Sequence, residues 1–559
     1  MKKNNPHFLS ATNKMKFLLA FIFLPLLLNA QKRDLQYYLS QVPFDMPEVT
    51  VPAFQDKTFT ITDFGAVGDG HTLNTDAFAA AITACSEAGG GHVIVPPGLW
   101  LTGPIEMKSN VDLHVERGAL VQLTSDRTKY PMIKASATSS RYVPASPIHG
   151  YGLNNIAITG SGIIDGAGDS WRPVKKSKTT EDQWNDLVKS GGVVSEDGKI
   201  WWPSEEAIKG RDYLKKMNKE VENPGPEDYL PARDYMRPYM VYLVDCRNVL
   251  IEDVTVRNSP KFVIYPNDCV NVTIRRANVY NEWWAQNGDG IDISASKNVI
   301  VYKCNINVGD DGVCMKSSGE GPESGTFNVE NVLVAGCNVY HAHGGFVIGS
   351  NTNGNVRNVF VTDCNYIGTD IGIRMKSTAG KGGIAENIYI KNIYMTNIVH
   401  AAISFNTFYQ NVPAGTSRDT SDHIARHDVP VFRNFHIENV YCRGARQSVY
   451  MMGLPFSPIQ DIYLDNVWIK AEHGAEMTNV KGIHFNNVKT DIQKGPVYSF
   501  SSANGITINK GYMPESAKVF IKASGQNVSN IVVTDTKLPE AAGIIQTTEG
   551  ASLKAVQVK

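Results

Sequence analysis

Four short segments hold the residues able to do chemistry. They read GDGIDIS ending at Ser294, GDDGVCMKS ending at Ser317, HGGFVIGS ending at Ser350 and DIGIRMKS ending at Ser377. Aligned at those serines, the apolar pairs Ile291/Ile293, Val313/Met315, Phe346/Ile348 and Ile373/Met375 fall at one parity. In a strand that parity points to one face, here the interior. Arg374 and Lys376 have the opposite parity and point outward together. Asp289 stands five residues before its serine, Asp311 six, and Asp310 and His343 seven. Stacked segments therefore put Asp289, Asp310, Asp311, His343, Arg374 and Lys376 along one ridge. Crowded carboxylates cannot all ionise freely, so one is held as a proton donor while the others stay anionic. That is the division of labour glycoside hydrolysis requires. An Arg–Lys pair beside it suits a sugar carboxylate. The substrate expected from this constellation is an acidic polysaccharide.

A ridge of this kind needs stacked strands, and the sequence supplies them by repetition. A phrase of Asn, an aliphatic residue, any residue and another aliphatic starts at Asn248, Asn271, Asn298, Asn331, Asn358 and Asn387, in steps of 23, 27, 33, 27 and 29 residues. Weaker copies begin at Asn110, Asn155, Asn434 and Asp461. Each copy alternates apolar and polar residues and then meets a turn residue, the pattern of a strand followed by a turn. No helical stretch separates the copies, so the fold class expected is all-β, a parallel β-helix in which each coil covers its neighbour. Two columns share this register. Cys304, Cys337 and Cys364 lie six residues after their repeat Asn, and Asn278, Asn305, Asn338 and Asn365 lie seven after theirs. The cysteines read as stacked buried thiols rather than disulfides, and the asparagines as a coil-to-coil hydrogen-bonded ladder.

Three regions interrupt the repeat. Residues 56–105 contain DFGAVGDG and then NTDAFAAAITACSEAGG, a helix with Asn74 at its N-cap that closes the first coil. Residues 170–238 hold Trp171, Trp184, Trp201 and Trp202 among many charges and read as a partly helical insertion overhanging one side. Residues 406–430 form a second long loop. The domain reading is a leader over 1–30, a lead segment over 31–55 and one β-helix domain over 56–559.

The chain of 559 residues is too long for one compact core, as a solenoid allows. Hydrophobic content of 42% excludes a disordered chain. Lys14 and Lys16 precede an apolar run from Phe17 to Leu28, the layout of an export signal too short to span a bilayer. That segment carries four of the 54 basic residues and none of the 55 acidic ones, so the remainder counts 50 against 55, a net charge of −5. Neither a nucleic-acid surface nor a membrane span is expected. No C-x-x-C or H-E-x-x-H spacing marks a metal site.

The segments DFGAVGDG, NTDAF, NGDGID, GDDGVCMKSS, AHGGF and IRMKS together resemble the polygalacturonase family, glycoside hydrolase family 28. The resemblance implies a right-handed parallel β-helix and inverting hydrolysis of galacturonosyl linkages in pectin, with no cofactor. By matching motifs, Asp310 is the general acid. Asp289 and Asp311 activate the water, and His343 supports the acid. Arg374 and Lys376 bind the galacturonate carboxylate on the leaving-group side, and Tyr409 is an aromatic subsite residue. Where the family reads N-T-D and G-H-G, this chain reads Asn287-Gly288-Asp289 and Ala342-His343-Gly344. Inversion predicts carboxyl groups ~6.5–9.5 Å apart, with room for a water. The insertion, by closing one end of the groove, favours exo action. The expected state is an exported, periplasmic or extracellular monomer. The rivals are a rhamnogalacturonan or xylogalacturonan hydrolase, a calcium-dependent pectate lyase, and a noncatalytic carbohydrate-binding solenoid.

Overall fold

The computed structural model describes residues 33–136, 139–318, 327–409, 429–540 and 542–559. The proposed leader and most of the second long loop lie outside the described residues. The chain divides into two units, 1–43 and 44–559. In the first, the short helix Leu35–Leu39 is capped by the Asp34 side chain, which accepts from the Tyr37 N–H.

The second unit is the expected parallel β-helix. Its helix α1 (Thr75–Glu87) buries Phe78, Ala81, Ile82 and Cys85 against the first coils. Asn74 sits at the N-cap position, but its side chain does not cap the helix. It accepts from the Val67 N–H at 2.7 Å and donates to the carbonyls of Thr72 and Leu101. It pins the DFGAVGDG loop instead.

The repeated phrase turns out to be two strands, so each coil has three. The phrase from Asn271 gives strand Val270–Arg275 and then strand Asn278–Tyr280, bent at Arg276 with φ +55°. The equivalent bends are Asp253, Lys303 and Asp363, also left-handed. Side-chain periodicity does not reveal such a bend, because apolar residues continue on both sides of it.

The repeat asparagine has a physical cause. Asn110, Asn155, Asn248, Asn271, Asn298, Asn331, Asn358, Asn387 and Asn434 all take φ between +50° and +63°. Asparagine tolerates this left-handed region far better than branched or bulky residues. Each carboxamide donates to the one on the preceding coil, as from Asn331 to Asn298 at 3.1 Å and from Asn358 to Asn331 at 3.2 Å. The predicted ladder Asn278–Asn305–Asn338–Asn365 forms as well. All eight cysteines are free and buried, as the column reading expects.

The interior is filled by columns in register. Val249, Val272, Val299, Val332, Val359 and Ile388 stack on one another, each essentially inaccessible to solvent. Full burial of one such side chain contributes about 1.5–3 kcal/mol.

The insertion is mixed rather than helical alone. Helices α2 (Glu181–Lys189) and α3 (Glu205–Glu220) accompany a small antiparallel sheet of Val174–Lys175, Val193–Val194 and Ile200–Trp202. Its own core is Val174, Trp184 and Trp201, and Trp284 of the β-helix packs onto it.

The strands that carry the site form one face. They are β1 (Val241–Val244), β2 (Ile264–Asn267), β3 (Ile291–Ser294), β4 (Asp311–Ser317), β5 (Gly344–Thr352), β6 (Ile373–Lys376) and β7 (Ala401–Asn406), paired in that order.

Candidate active site

The apolar residues of this face pair as their parity predicts. Ile291, Val313, Phe346 and Ile373 form one column, and Ile293, Met315, Ile348 and Met375 another. The terminal serines do not align, because Ser294 pairs with Lys316 rather than Ser317. The acids are fixed through the backbone ladder. The Asp289 carbonyl accepts from the Val263 N–H at 2.9 Å, that of Asp311 from Gly290 at 2.8 Å and that of Asp310 from His343 at 2.8 Å. Coils this close demand glycine beside each acid. A Cβ on Gly290 would sit 2.6 Å from the Gly312 carbonyl, and one on Gly312 would sit 2.5 Å from Val339 Cγ1.

The structure brings all seven predicted residues together. Asp289, Asp310 and Asp311 each place a carboxylate oxygen within 4.8 Å of the other two. Arg374 reaches Asp311 at 3.3 Å and Lys376 reaches it at 2.6 Å. His343 Nδ1 lies 3.0 Å from Asp310 Oδ1. Tyr409 lies beside the cation pair, its ring centroid 5.6 Å from the Arg374 guanidinium carbon and 5.1 Å from Lys376 Nζ.

Three further residues belong to the site. Lys316, buried, lies 3.0 Å from Asp289, 3.3 Å from Asp292 and 4.0 Å from Asp311. Its signal was present in the sequence, because Cys314 and Lys316 have the outward parity of Arg374 and Lys376. Asp370 approaches the far nitrogen of His343 at 3.7 Å. From the insertion, Lys178 donates to the Trp283 carbonyl at 3.3 Å. Burial lowers its ammonium, while the negative charges of Asp310 and Asp370 oppose the fall.

The three acids differ in environment. Burial is the largest influence on Asp289 and lifts it to about 7, with Lys316 opposing and the charges of Asp310 and Asp311 adding to the rise. Burial also pushes Asp310 up, but the His343 hydrogen bond leads the opposing influences and the net direction is downward. Asp311 feels the same burial, yet Lys376, Arg374 and Lys316 hold it far below the usual carboxylate range. Within the triad, burial therefore favours a proton on Asp289, and Asp292 behind it is raised well above the usual range for the same reason. Asp310 is nevertheless the acid facing the cleft, with 18% of its side chain exposed against 4% for Asp289 and 1% for Asp311.

The predicted wide carboxyl spacing is not found. One carboxylate oxygen of each acid lies within 4.8 Å of the others instead. Carboxylate oxygens within 4.8 Å of one another are close enough for a single water to bridge acids of the triad. The same oxygens form a geometric cation site, but Lys316 and Lys376 already place their charges against them at 3.0 and 2.6 Å.

Gly288, which departs from the family's N-T-D, also has a local cause. A Cβ there would meet the Asn281 amide nitrogen at 2.7 Å and the Ala285 Cβ at 2.9 Å. The loop 281–287 is drawn in by Trp284, which packs on the insertion, and by Arg237, which donates to the Gln286 carbonyl and to Asn287 Oδ1.

Comparison with known proteins agrees with this geometry. Residues 232–490 match the family model described as glycosyl hydrolases family 28, and those bounds enclose the whole acid and cation cluster. The exo-poly-alpha-D-galacturonosidase of Dickeya chrysanthemi is 26% identical over 470 residues, covering 81% of this chain and 74% of that protein. The endo-polygalacturonase of Pectobacterium carotovorum subsp. carotovorum is 24% identical over 382 residues, covering 66% of this chain and 82% of that one. The crystal structure of a hyperthermoactive exopolygalacturonase from Thermotoga maritima superposes with a TM-score of 0.62 at 29% identity, covering 78% of this chain and 93% of that one. With a parallel β-helix, an aspartate triad on consecutive coils and this match, the chain is a glycoside hydrolase whose residues 232–490 are similar to glycosyl hydrolases family 28.

Proposed function

We propose that the protein hydrolyses α-1,4-galacturonosyl linkages of polygalacturonate, with inversion and from the chain end. The observation that carries this reading is the joining of acid triad and cation pair in one cluster. Asp311 is held by Arg374 and Lys376, and the same two cations face outward where a uronate would lie. The relatives named for galacturonan cleavage support the substrate class.

Asp310 delivers the proton to the glycosidic oxygen, because it alone of the three acids opens on the cleft. His343 orients it, with Asp370 behind the imidazole. Asp289 and Asp311 hold the attacking water. As that water attacks, its proton passes to the Asp289–Asp311 pair, and after the products leave a proton returns from the pair to Asp310 through a new water. Arg374 and Lys376 bind the carboxylate on the leaving-group side, and Tyr409 carries the sugar face beyond them. Inversion is supported by the family motifs and by the place for one shared water. Exo action is supported by the insertion, which sets Lys178 beside the acids. Export is supported by the basic and apolar pattern of residues 14–28.

Digestion of polygalacturonate, with products resolved by size and anomer, tests the reading. The expected products are saturated monomer or dimer from the first minutes, released as the β-anomer. Mixed oligomers at early times would remove the exo claim, an α-anomer would remove inversion, and unsaturated products absorbing in the ultraviolet would replace hydrolysis by elimination.

A further inference from the structure

On the N-terminal side of the triad the face carries a second set of cations. A cavity of about 100 Å³ is lined by Arg141, Arg237 and Lys261, together with the hydroxyl-bearing Ser146, Tyr239 and Tyr242. No aspartate or glutamate lines it. Among the described residues none of its three cations forms an ion pair. Lys261 Nζ contacts the Tyr239 hydroxyl at 3.3 Å and lies 4.6 Å from that ring's centroid. Arg237 spends hydrogen bonds on backbone carbonyls and on Asn287, and adopts φ +37°, ψ +113°, a strained conformation for a residue with a side chain. Such strain persists only where surrounding structure imposes it, and it gathers at ligand sites. Burial, reinforced by the charges of Arg237 and Arg141, lowers the Lys261 ammonium to about 8. The acid whose charge opposes the fall of Lys261 and Arg237 is Asp289 of the triad, and no ion pair neutralises either of them among the described residues.

The cavity adjoins the acids. Phe262 lies between the two systems, 5.4 Å from Lys261 Nζ and 4.9 Å from Lys316 Nζ, and Lys316 binds Asp289. Lys261 precedes β2, two coils before β4, whereas Arg374 and Lys376 lie on β6, two coils after it. The backbone of each cation group is thus two coils, about 10 Å along the axis, from β4, on opposite sides, with the Arg374 and Lys376 side chains reaching back to Asp311. The volume admits a carboxylate with a few waters, not a further stretch of polysaccharide.

We propose that Lys261, Arg237 and Arg141 form a carboxylate pocket for the terminal uronate on the non-reducing side of the scissile bond. This rests on the hydrolase reading above and deepens it. Arg374 and Lys376 grip the leaving side, and this pocket both recognises and stops the other end of the chain.

The test crosses enzyme and substrate changes. The substrates are trigalacturonate and the same trisaccharide with its non-reducing terminal carboxyl reduced to the alcohol. Wild type should lose about 30-fold or more in kcat/KM on the neutral-ended substrate, in the range for a charged hydrogen-bonded contact. Lys261→Met should lose at least about tenfold on trigalacturonate while changing the neutral-ended substrate by less than about threefold. Arg141→Met, at an exposed position where misfolding is not expected, should give a smaller loss with the same selectivity. Arg374→Met should depress both substrates equally. Equal cleavage of the two substrates by wild type would overturn the pocket. So would an equal loss on both in Lys261→Met and in Arg141→Met. Failure of wild type to hydrolyse either substrate, or polygalacturonate itself, would overturn the hydrolase reading and the pocket with it.

Discussion

At the scale of single residues, the triad shares protons rather than assigning one to each acid, and the order of affinities fixes a pH dependence. Asp289 is raised to about 7 by burial, and Asp311 is held far down by its cations despite burial. Below about 7 the triad keeps its shared proton and can supply a donor. Above it the proton is lost, so kcat/KM should fall about tenfold per pH unit. Asp311, the carboxylate left to draw on the attacking water, stays ionised far into the acid range, so the profile should remain flat down to about pH 5. Removing Asp289 as Asp289→Asn should move the alkaline limb acidward by about one unit or more, measured as log kcat/KM against pH. A limb that stays near 7 in that variant would place the proton elsewhere. Lys316 should behave differently from the sugar-binding cations. Lys316→Met leaves Asp289 and Asp292 buried without their counter-charge, so it should destabilise the fold by about 3–5 kcal/mol in denaturant titration. The sequence parity of the GDDGVCMKS segment makes Lys316 legible as outward-facing. The proton order was not legible, because it depends on which acid of a crowded three is most buried, and all three have the same type and nearly the same register.

At the scale of elements, the repeat asparagine unites local backbone with coil-to-coil bonding. Asn331 takes φ +58°, donates to Asn298 and accepts from Asn358. Asn331→Ala should destabilise by about 2–4 kcal/mol, from two lost hydrogen bonds and a left-handed alanine. Asn331→Gly should recover about 1 kcal/mol of that, since glycine accepts the conformation without penalty. Equal losses in both variants, by equilibrium unfolding, would show that the left-handed turn contributes nothing. The spacing of these asparagines revealed the coils, and strand parity revealed which residues face out. Two features stayed hidden for physical reasons. The third strand of each coil follows a left-handed bend at Asp253, Arg276, Lys303 or Asp363, which no one residue type marks. The insertion's strands are two or three residues long, below the length at which alternation can be read.

At the scale of the whole molecule, a stacked solenoid needs a closed end and a fixed register, and both bear on the site. Helix α1 supplies the closure, and Phe78→Ala should cost about 3–5 kcal/mol for a fully buried ring, read from the denaturation midpoint. The loss should leave kcat/KM of the remaining folded protein near wild type, because each coil rests chiefly on its neighbours. The register is what carries the site, bringing Asp289, Asp310, Asp311, Arg374 and Lys376 from three coils onto one face. The claim that this cluster performs hydrolysis is tested most directly by Asp310→Asn, assayed for turnover of a galacturonate oligomer and, on the same preparation, for binding of that oligomer by calorimetry. The expected result is a fall in kcat of about 10²–10⁴-fold with affinity changed by less than about threefold. Turnover within about tenfold of wild type, with binding intact, would contradict it.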